Sequence, residues 1–224
     1  MRVLVIIPAG GTGSRFGTQI PKQFQLLAGK PILQHTIERF LADQEVTKII
    51  VPVVEAALPG VDRSPLARVQ FVAGGKTRLQ SVSNAVEAAS DDFDYVAVHD
   101  AVRPFFRIAM FRAVLQAAQE TGAAFPALTV TDTIHTLENG MIRETLDRSA
   151  LAAAQTPQCF RMDVLRSVLK KAADAGDDTT DEAGLAAKYG YKVRAVPGDP
   201  VNVKITRPDD LALAETHFEE WSQL

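Results

Sequence analysis

The sequence has only one cysteine, Cys159, so no disulfide can form within the chain. This excludes the small secreted proteins that disulfides hold together, and it suits a reducing compartment such as the cytoplasm. Long apolar runs are also missing. The run at residues 3–7 ends at Pro8, far short of the roughly 20 apolar residues that a membrane-spanning helix needs. We therefore expect a cytoplasmic protein with no membrane segment.

An excess of positive charge is absent as well, since the formal net charge is −3 at pH 7. That balance argues against a nucleic-acid coat protein or a polybasic membrane anchor, so neither partner is expected. The four histidines show no metal-ligand spacing, and no zinc, haem or flavin motif occurs. With 224 residues, 46% of them hydrophobic, the chain suits one domain over residues 1–224, because single domains extend to about 250 residues.

Two common phosphate-binding loops are missing too. The P-loop pattern G-x-x-x-x-G-K-[ST] does not occur. The dinucleotide pattern G-x-G-x-x-G fails because Phe16 occupies the place of its third glycine and Gly17 follows one residue late. Pro21 also interrupts the segment in which the helix of that motif would begin. The sequence thus disfavours both P-loop hydrolysis and the binding of NAD.

What the chain has instead is a glycine-rich loop directly after an apolar strand. Residues 3–7 are apolar and rich in β-branched side chains, which is typical of a buried parallel strand. Residues 8–17 follow with four glycines, which let backbone N–H groups approach an anion. Arg15 and Lys22 add two positive charges. The combination indicates a polyphosphate site at the carboxyl edge of a sheet.

Strand-like and helix-like segments alternate along most of the chain. Strands are predicted at residues 3–7, 48–53, 69–72, 95–98, 124–128 and 192–196, and helices at 31–41, 79–89, 108–120, 162–175, from 180 onward and at 208–221. Such alternation predicts a mostly parallel sheet that helices cover on both faces. The expected fold is α/β, a Rossmann-like three-layer αβα sandwich with a mostly parallel mixed sheet.

Residues 129–151 break this alternation and predict a protruding β-hairpin arm. Asn139-Gly140 lies between two β-prone runs, 129–137 and 141–146, and Asn-Gly is a strong hairpin signal. An isolated two-stranded hairpin is marginally stable in water, so this one should pack on something. From these residues alone, the chain's own sheet is the slightly favoured surface for the hairpin to pack on.

Eight blocks of sequence, in order along the chain, resemble one family. They are residues 8–15 with 21–23, and then 74–81, 98–104, 131–133, 147–148, 155–158, 180–183 and 202–211. The first block is similar to the signature of nucleotidyltransferases that join a nucleoside triphosphate to a sugar phosphate. The whole set resembles, more narrowly, the cytidylyltransferases of the non-mevalonate isoprenoid pathway, which act on 2-C-methyl-D-erythritol 4-phosphate.

The resemblance implies a site, a cofactor and a partner. Catalytic charge would come from Arg15, Lys22 and Lys204. Nucleotide contacts would come from Ala9, Gly10, Gly11, Gly13, Gly75, Arg78, Ser81, Asp100 and Thr156. Acceptor contacts would come from Asp100, Arg103, Thr133, Arg148 and Thr180. Arg148 would belong to the neighbouring subunit of a homodimer joined through residues 129–151, and magnesium would be held at Asp100.

A structural role is the alternative for several of these residues. Without the resemblance, Ser81 is an ordinary serine on a helix surface. Thr180 and Asp181 serve equally well as a helix cap. For Arg103 the alternative is a structural salt bridge to Asp100, which would replace magnesium or a substrate hydroxyl as the partner of that carboxylate.

The implied reaction is attack by the acceptor's phosphate on the α-phosphorus of CTP, with pyrophosphate leaving. A phosphate dianion is already a nucleophile at neutral pH, so no general base is required. Fixed positive charge and a divalent metal are required, because two polyanions must approach each other.

Two alternative functions stay open. Gly10, Lys76 and Val102 depart from the usual pattern of the family and bring the chain nearer to the ribitol 5-phosphate cytidylyltransferases. The blocks at 147–148, 180–183 and 206–210 favour the methylerythritol enzymes. A non-catalytic nucleotide-binding module is the third hypothesis, and it would be expected to lack one of the catalytic cations.

Overall fold

The computed structural model describes residues 1–11, 20–54, 67–89, 92–177 and 181–223. Its strands are β1 (Val3–Ile6), β2 (Leu26–Leu27), β3 (Lys30–Pro31), β4 (Val46–Val53), β5 (Val69–Ala73), β6 (Tyr95–Val98), β7 (Ala123–Thr129), β8 (His135–Glu138), β9 (Met141–Thr145), β10 (Ala152–Ala154), β11 (Gln158–Arg161) and β12 (Val193–Pro197). Within the described ranges, eight of them form one central sheet, while β2–β3 and β8–β9 form separate pairs.

The central sheet is mixed, as predicted. Its order is β10-β7-β11-β6-β1-β4-β5, and β12 also pairs with β7. β1 is parallel to β4 and β6, β5 is parallel to β4, and β12 is parallel to β7. β11 runs antiparallel between β6 and β7, and β10 is antiparallel to β7. Neither β10 nor β11 is among the strands that the sequence predicts.

Helices cover both faces of this sheet. They are α1 (Ile32–Leu41), α2 (Arg78–Ala88), α3 (Ile108–Thr121), α4 (Met162–Ala175), α5 (Glu182–Lys188), α6 (Pro208–Thr216) and α7 (Phe218–Ser222). Alternate side chains of β1 enter opposite cores, because successive residues of a strand point to opposite faces. Val3 and Val5 pack with α1 and α3, whereas Leu4 and Ile6 pack with α2 and α4. The three-layer sandwich is therefore confirmed, and none of the described helices is long and apolar enough to cross a membrane.

The C-terminal helix predicted over residues 208–221 is wrong as a single element. α6 ends at Thr216 and α7 begins at Phe218, because His217 adopts φ −103° and ψ 7° between them. The break turns the last helix onto the body of the protein. There the Trp221 ring meets the Phe105 ring edge-on, with 5.3 Å between their centroids.

The predicted hairpin within residues 129–151 forms, with a shorter first strand than expected. β8 and β9 are joined by Asn139 (φ 52°) and Gly140 (φ 79°), the two positive φ values of a type I′ turn. Residue 129 ends β7, and β8 begins only at His135. Among the described strands, β8 and β9 pair only with each other, so the hairpin does not extend the central sheet.

Candidate active site

The loops that follow β1, β5 and β6 meet around one cavity, as expected for the carboxyl edge of a parallel sheet. Of the predicted site residues, those that line it are Ala9, Gly10, Gly11, Lys22, Gly75, Arg78, Ser81, Asp100 and Lys204. The described wall carries one acidic side chain, Asp100, and four basic ones, which are Lys22, Lys76, Arg78 and Lys204. Because this charge is strongly positive in sum, the cavity favours an anionic ligand.

Gln23 holds the described part of the glycine-rich loop in place. Its side-chain amide donates to the carbonyl of Ala9 at 2.6 Å and to the carbonyl of Gly11 at 3.0 Å. Gln23 is 2% exposed, so its bond to Ala9 is buried, while its bond to the exposed Gly11 is partly buried. In a trans peptide the N–H points opposite to the preceding C=O, so the Gly10 N–H faces away from Gln23. Sequence reasoning missed this residue, although it belongs to the block at 21–23.

Ser81 is buried against the loop that follows β5, so the interpretation as a helix-surface serine is wrong. Its hydroxyl donates to the Thr77 carbonyl at 2.9 Å and accepts from the Gly75 N–H at 3.0 Å. A Cβ on Gly75 would lie 2.3 Å from the Cγ of Gln80, which only glycine avoids. One lone pair of the Ser81 oxygen is left as an acceptor at the cavity wall.

Asp100 is the centre of a cluster of three cations. Arg78 Nη1 lies 2.9 Å from Oδ1, while Arg103 Nε at 3.1 Å and Lys204 Nζ at 3.0 Å contact Oδ2. Burial alone would raise the pKa of Asp100, but the charges of Arg78, Lys204 and Arg103 outweigh it and hold that pKa well below its ordinary range. The carboxylate is therefore ionised at neutral pH.

Lys204 reaches this cluster on an irregular segment between β12 and α6. The Ile205 N–H donates to the Val102 carbonyl at 2.9 Å. Arg103 Nη1 donates to the Asn202 carbonyl at 2.7 Å. These two bonds lay the segment beside the turn after β6, and the Lys204 ammonium projects from it onto Asp100.

Thr156 and His99 support Asp100 from behind the cavity. The Asp100 N–H donates to the Thr156 hydroxyl at 3.0 Å, and that hydroxyl is 3.0 Å from His99 Nδ1. His99 Nε2 lies 3.0 Å from the Arg103 carbonyl, which can only accept, so Nε2 carries the proton and Thr156 donates to Nδ1. Burial lowers the pKa of His99 to about 3, which keeps the ring neutral.

Four predicted contact residues do not line the cavity. Thr156, predicted to touch the nucleotide, has its hydroxyl engaged by Asp100 and His99. Arg103, predicted to touch the acceptor, is buried against Asp100 and Asn202, which matches the structural alternative. Thr133 is exposed beside the hairpin, and Arg148 Nη1 donates to the Thr131 carbonyl at 2.6 Å. Three further predictions, Gly13, Arg15 and Thr180, lie outside the described residues.

The last property of the site is its capacity to bind a metal ion. Across the ranges that the structure describes, no three His, Cys, Asp or Glu side chains come together in a group that could hold a metal ion. Any divalent ion in this cavity would therefore need most of its ligands from a bound polyphosphate and from water.

An αβα sandwich with a cationic cavity at the carboxyl edge of its sheet is typical of proteins that bind nucleotides or other polyphosphates. A sequence model of the 2-C-methyl-D-erythritol 4-phosphate cytidylyltransferase family matches residues 3–220. The chain belongs to this family of transferases. The resemblance of the eight blocks to the cytidylyltransferases that act on 2-C-methyl-D-erythritol 4-phosphate is thereby confirmed.

Individual relatives agree with this assignment. The 2-C-methyl-D-erythritol 4-phosphate cytidylyltransferases of Solibacter usitatus and Geotalea uraniireducens are 40% and 41% identical to this chain, each covering 98% of it and 97% of the relative. The crystal structure of the Thermus thermophilus protein of the same name is 34% identical, covers 100% of both chains and superposes with a TM-score of 0.82.

Proposed function

We propose that this protein joins CTP to 2-C-methyl-D-erythritol 4-phosphate, forming 4-diphosphocytidyl-2-C-methyl-D-erythritol and pyrophosphate for isoprenoid biosynthesis. The observation that carries the proposal is the cavity wall, whose described residues include four basic side chains and one carboxylate, that of Asp100. Two polyanionic substrates repel each other, and a preorganised set of cations offsets that repulsion. The family membership supports the choice of both substrates.

In the proposed reaction, an oxygen of the acceptor's phosphate forms a bond to the α-phosphorus of CTP. The bond between the α-phosphorus and the bridging oxygen of the β-phosphate breaks, and pyrophosphate leaves with the electron pair. Lys22 and Lys204 stabilise the charge that develops on the α-phosphate and on the leaving group, and Arg15 is expected to act with them.

No side chain is needed to accept a proton from the nucleophile. His99 is the histidine nearest to the cluster, and its ring is neutral, buried and hydrogen-bonded at both nitrogens. It therefore orients Asp100 through Thr156 instead of acting as a base. A phosphate dianion attacks without such help.

The residues of the cavity fit a magnesium ion that the triphosphate holds. The Asp100 carboxylate has about four acceptor directions, three of which already receive Arg78, Arg103 and Lys204, so one is left for a metal or its water. Magnesium usually takes one or two carboxylates together with substrate phosphates. When bound, it would neutralise phosphate charge.

The acceptor site is proposed to be completed by a second copy of the chain. Thr133 and Arg148 belong to the segment 129–151 and do not line the cavity of their own subunit. The hairpin also exposes three large apolar side chains, those of Leu137, Met141 and Ile142. A homodimer would cover them and would bring Arg148 to the neighbouring acceptor.

The single buried cysteine supports a cytoplasmic location.

The first test measures pyrophosphate release from CTP and magnesium with 2-C-methyl-D-erythritol 4-phosphate, and in parallel with ribitol 5-phosphate. We expect selective turnover of the first acceptor. Preference for ribitol 5-phosphate would overturn the proposed acceptor, and CTP binding without turnover of either would support the non-catalytic hypothesis.

The second test removes the proposed catalytic cations. Lys22→Ala and Lys204→Ala should each lower kcat by roughly 10²-fold or more, because removing one preorganised group costs about this much. Lys192→Ala, at an exposed lysine outside the cavity wall, is the control and should keep the wild-type kcat. Near wild-type activity of both cavity variants would refute the catalytic assignment.

A further inference from the structure

Glu182 is a buried carboxylate that the proposed reaction does not use. It is the first residue of α5, and its side chain is 1% exposed. A buried carboxylate is costly unless it is paired. Both of its oxygens accept from Arg78, since Nε lies 3.1 Å from Oε1 and Nη2 lies 3.1 Å from Oε2. Two parallel bonds of this kind fix the plane of a guanidinium group.

Arg78 carries this constraint to the cavity. Its Nη1 donates to Asp100 Oδ1 at 2.9 Å, and Asp100 Oδ2 in turn holds the Lys204 ammonium at 3.0 Å. Glu182, Arg78, Asp100 and Lys204 thus form one continuous chain of alternating charge. The chain begins in the core under α5 and ends in the cavity wall.

We propose that Glu182 is a positioning residue, which holds Arg78 against Asp100 and thereby sets the place of the Lys204 ammonium beside the triphosphate. Without Glu182, the Nε and Nη2 edge of Arg78 is released and can turn towards the anionic substrate. Asp100 then loses one of its three cations and holds the Lys204 ammonium more strongly, which leaves that ammonium less available to the phosphates. The inference rests on the proposed function, because it assigns Lys204 to the triphosphate.

A double-mutant cycle on kcat tests whether Glu182 acts through Arg78. Glu182→Gln keeps the shape of the side chain and removes its charge, and it should lower kcat by about 10-fold to 100-fold, since small misplacements of reacting groups cost this much. Arg78→Gln should lower kcat as well. If Glu182 acts through Arg78, the double variant loses no more than the more damaging single variant, because residues in one network are not additive.

The control separates positioning from stability. Asp43 has a fully buried side chain whose carboxylate pairs with Arg112 Nε at 2.9 Å, and neither residue lines the cavity. Asp43→Asn should lower the melting temperature and keep kcat within about twofold of wild type, as expected for a buried, paired carboxylate outside the site. If Glu182→Gln loses kcat while its melting temperature is similar to that of Asp43→Asn, the loss comes from positioning and not from lower stability.

Two results would overturn the inference: a folded Glu182→Gln with nearly wild-type kcat, or losses that multiply in the double variant. If Glu182→Gln does not fold, Glu182→Asp, which keeps the charge and is one methylene shorter, replaces it in the same cycle. The wild type is assayed alongside. An inactive wild type would refute the proposed function, whereas an active wild type with an equally active Glu182 variant refutes only this inference.

Discussion

His99 and Thr156 illustrate how one residue's chemistry is set by its hydrogen bonds. The Arg103 carbonyl requires a proton on His99 Nε2, so Nδ1 must accept from Thr156, and the Thr156 oxygen is then free to accept from the Asp100 N–H. Protonation of Nδ1 would break this sequence of bonds. The neutral ring is therefore part of what holds Asp100 at the end of β6.

The same ring predicts a pH dependence of stability. Burial lowers the pKa of folded His99 from its ordinary 6.5 to about 3, so between these values the unfolded chain binds a proton that the folded chain does not. The free energy of unfolding should therefore fall as the pH falls below 6.5, by up to about 1.4 kcal/mol per pH unit.

Denaturant unfolding at pH 7, 6 and 5 measures this slope, before the buried carboxylate of Asp100 begins to titrate. His99→Asn should be less stable than wild type at pH 7 and should show a shallower dependence on pH. An unchanged slope in that variant would mean that another group is responsible.

Among the elements, the described part of the glycine-rich loop receives two hydrogen bonds from one side-chain amide, that of Gln23. Gln23→Met keeps the size of the side chain but leaves the carbonyls of Ala9 and Gly11 without their donor, so we expect a loss of about 1–3 kcal/mol in the free energy of unfolding. A loop that can rotate its peptides presents the Gly10 N–H less often, so the affinity for CTP should fall by roughly tenfold, which corresponds to about 1.4 kcal/mol.

Isothermal titration with CTP and thermal melting check this prediction. Gln25→Met is the matched control, because the Gln25 amide donates at the protein surface, to the Ile20 carbonyl at 2.8 Å. The control should bind CTP almost as the wild type does. Equal losses of affinity in both variants would contradict the role given to Gln23.

The elements also explain which features are predictable from sequence. The sequence predicts β1 and α4 to within a residue, because β1 is a continuous apolar run that is buried throughout and the buried residues of α4 recur at helical spacing. β11 is not predicted, since its neighbours β6 and β7 lie far away in the chain and the strand begins with the polar residue Gln158. The cavity loops were predicted from glycines and cations, but the partner of Arg78 is Glu182, 104 residues later. Only the folded sheet brings that pair together.

At the scale of the whole molecule, one half of the central sheet supports the cavity and the other half supports the hairpin. Its parallel half, β5, β4, β1 and β6, presents the loops that line the cavity. The antiparallel half, with β7 and β10, ends in the segment that leads into and out of the hairpin. Because β8 and β9 pair with no other described strand, the stability of the hairpin should depend on packing against another surface.

We expect a second subunit to provide this surface, and substitutions in the hairpin test that expectation. Leu137, Met141 and Ile142 are 64%, 73% and 63% exposed. Their joint replacement by serine removes the apolar contact without changing the Asn139-Gly140 turn. Analytical ultracentrifugation should show a dimer for the wild type and a monomer for this variant.

The monomeric variant should still bind CTP, because the nucleotide side of the cavity belongs to one subunit, yet it should lose turnover, because Arg148 no longer reaches the neighbouring acceptor. Leu26→Ser with Leu213→Ser, which changes exposed leucines outside the hairpin, is the control and should stay dimeric and active. A wild type that sediments as a monomer while turning over both substrates would refute the dimer. A monomeric serine variant with full activity would instead keep the dimer and exclude Arg148 from the acceptor site.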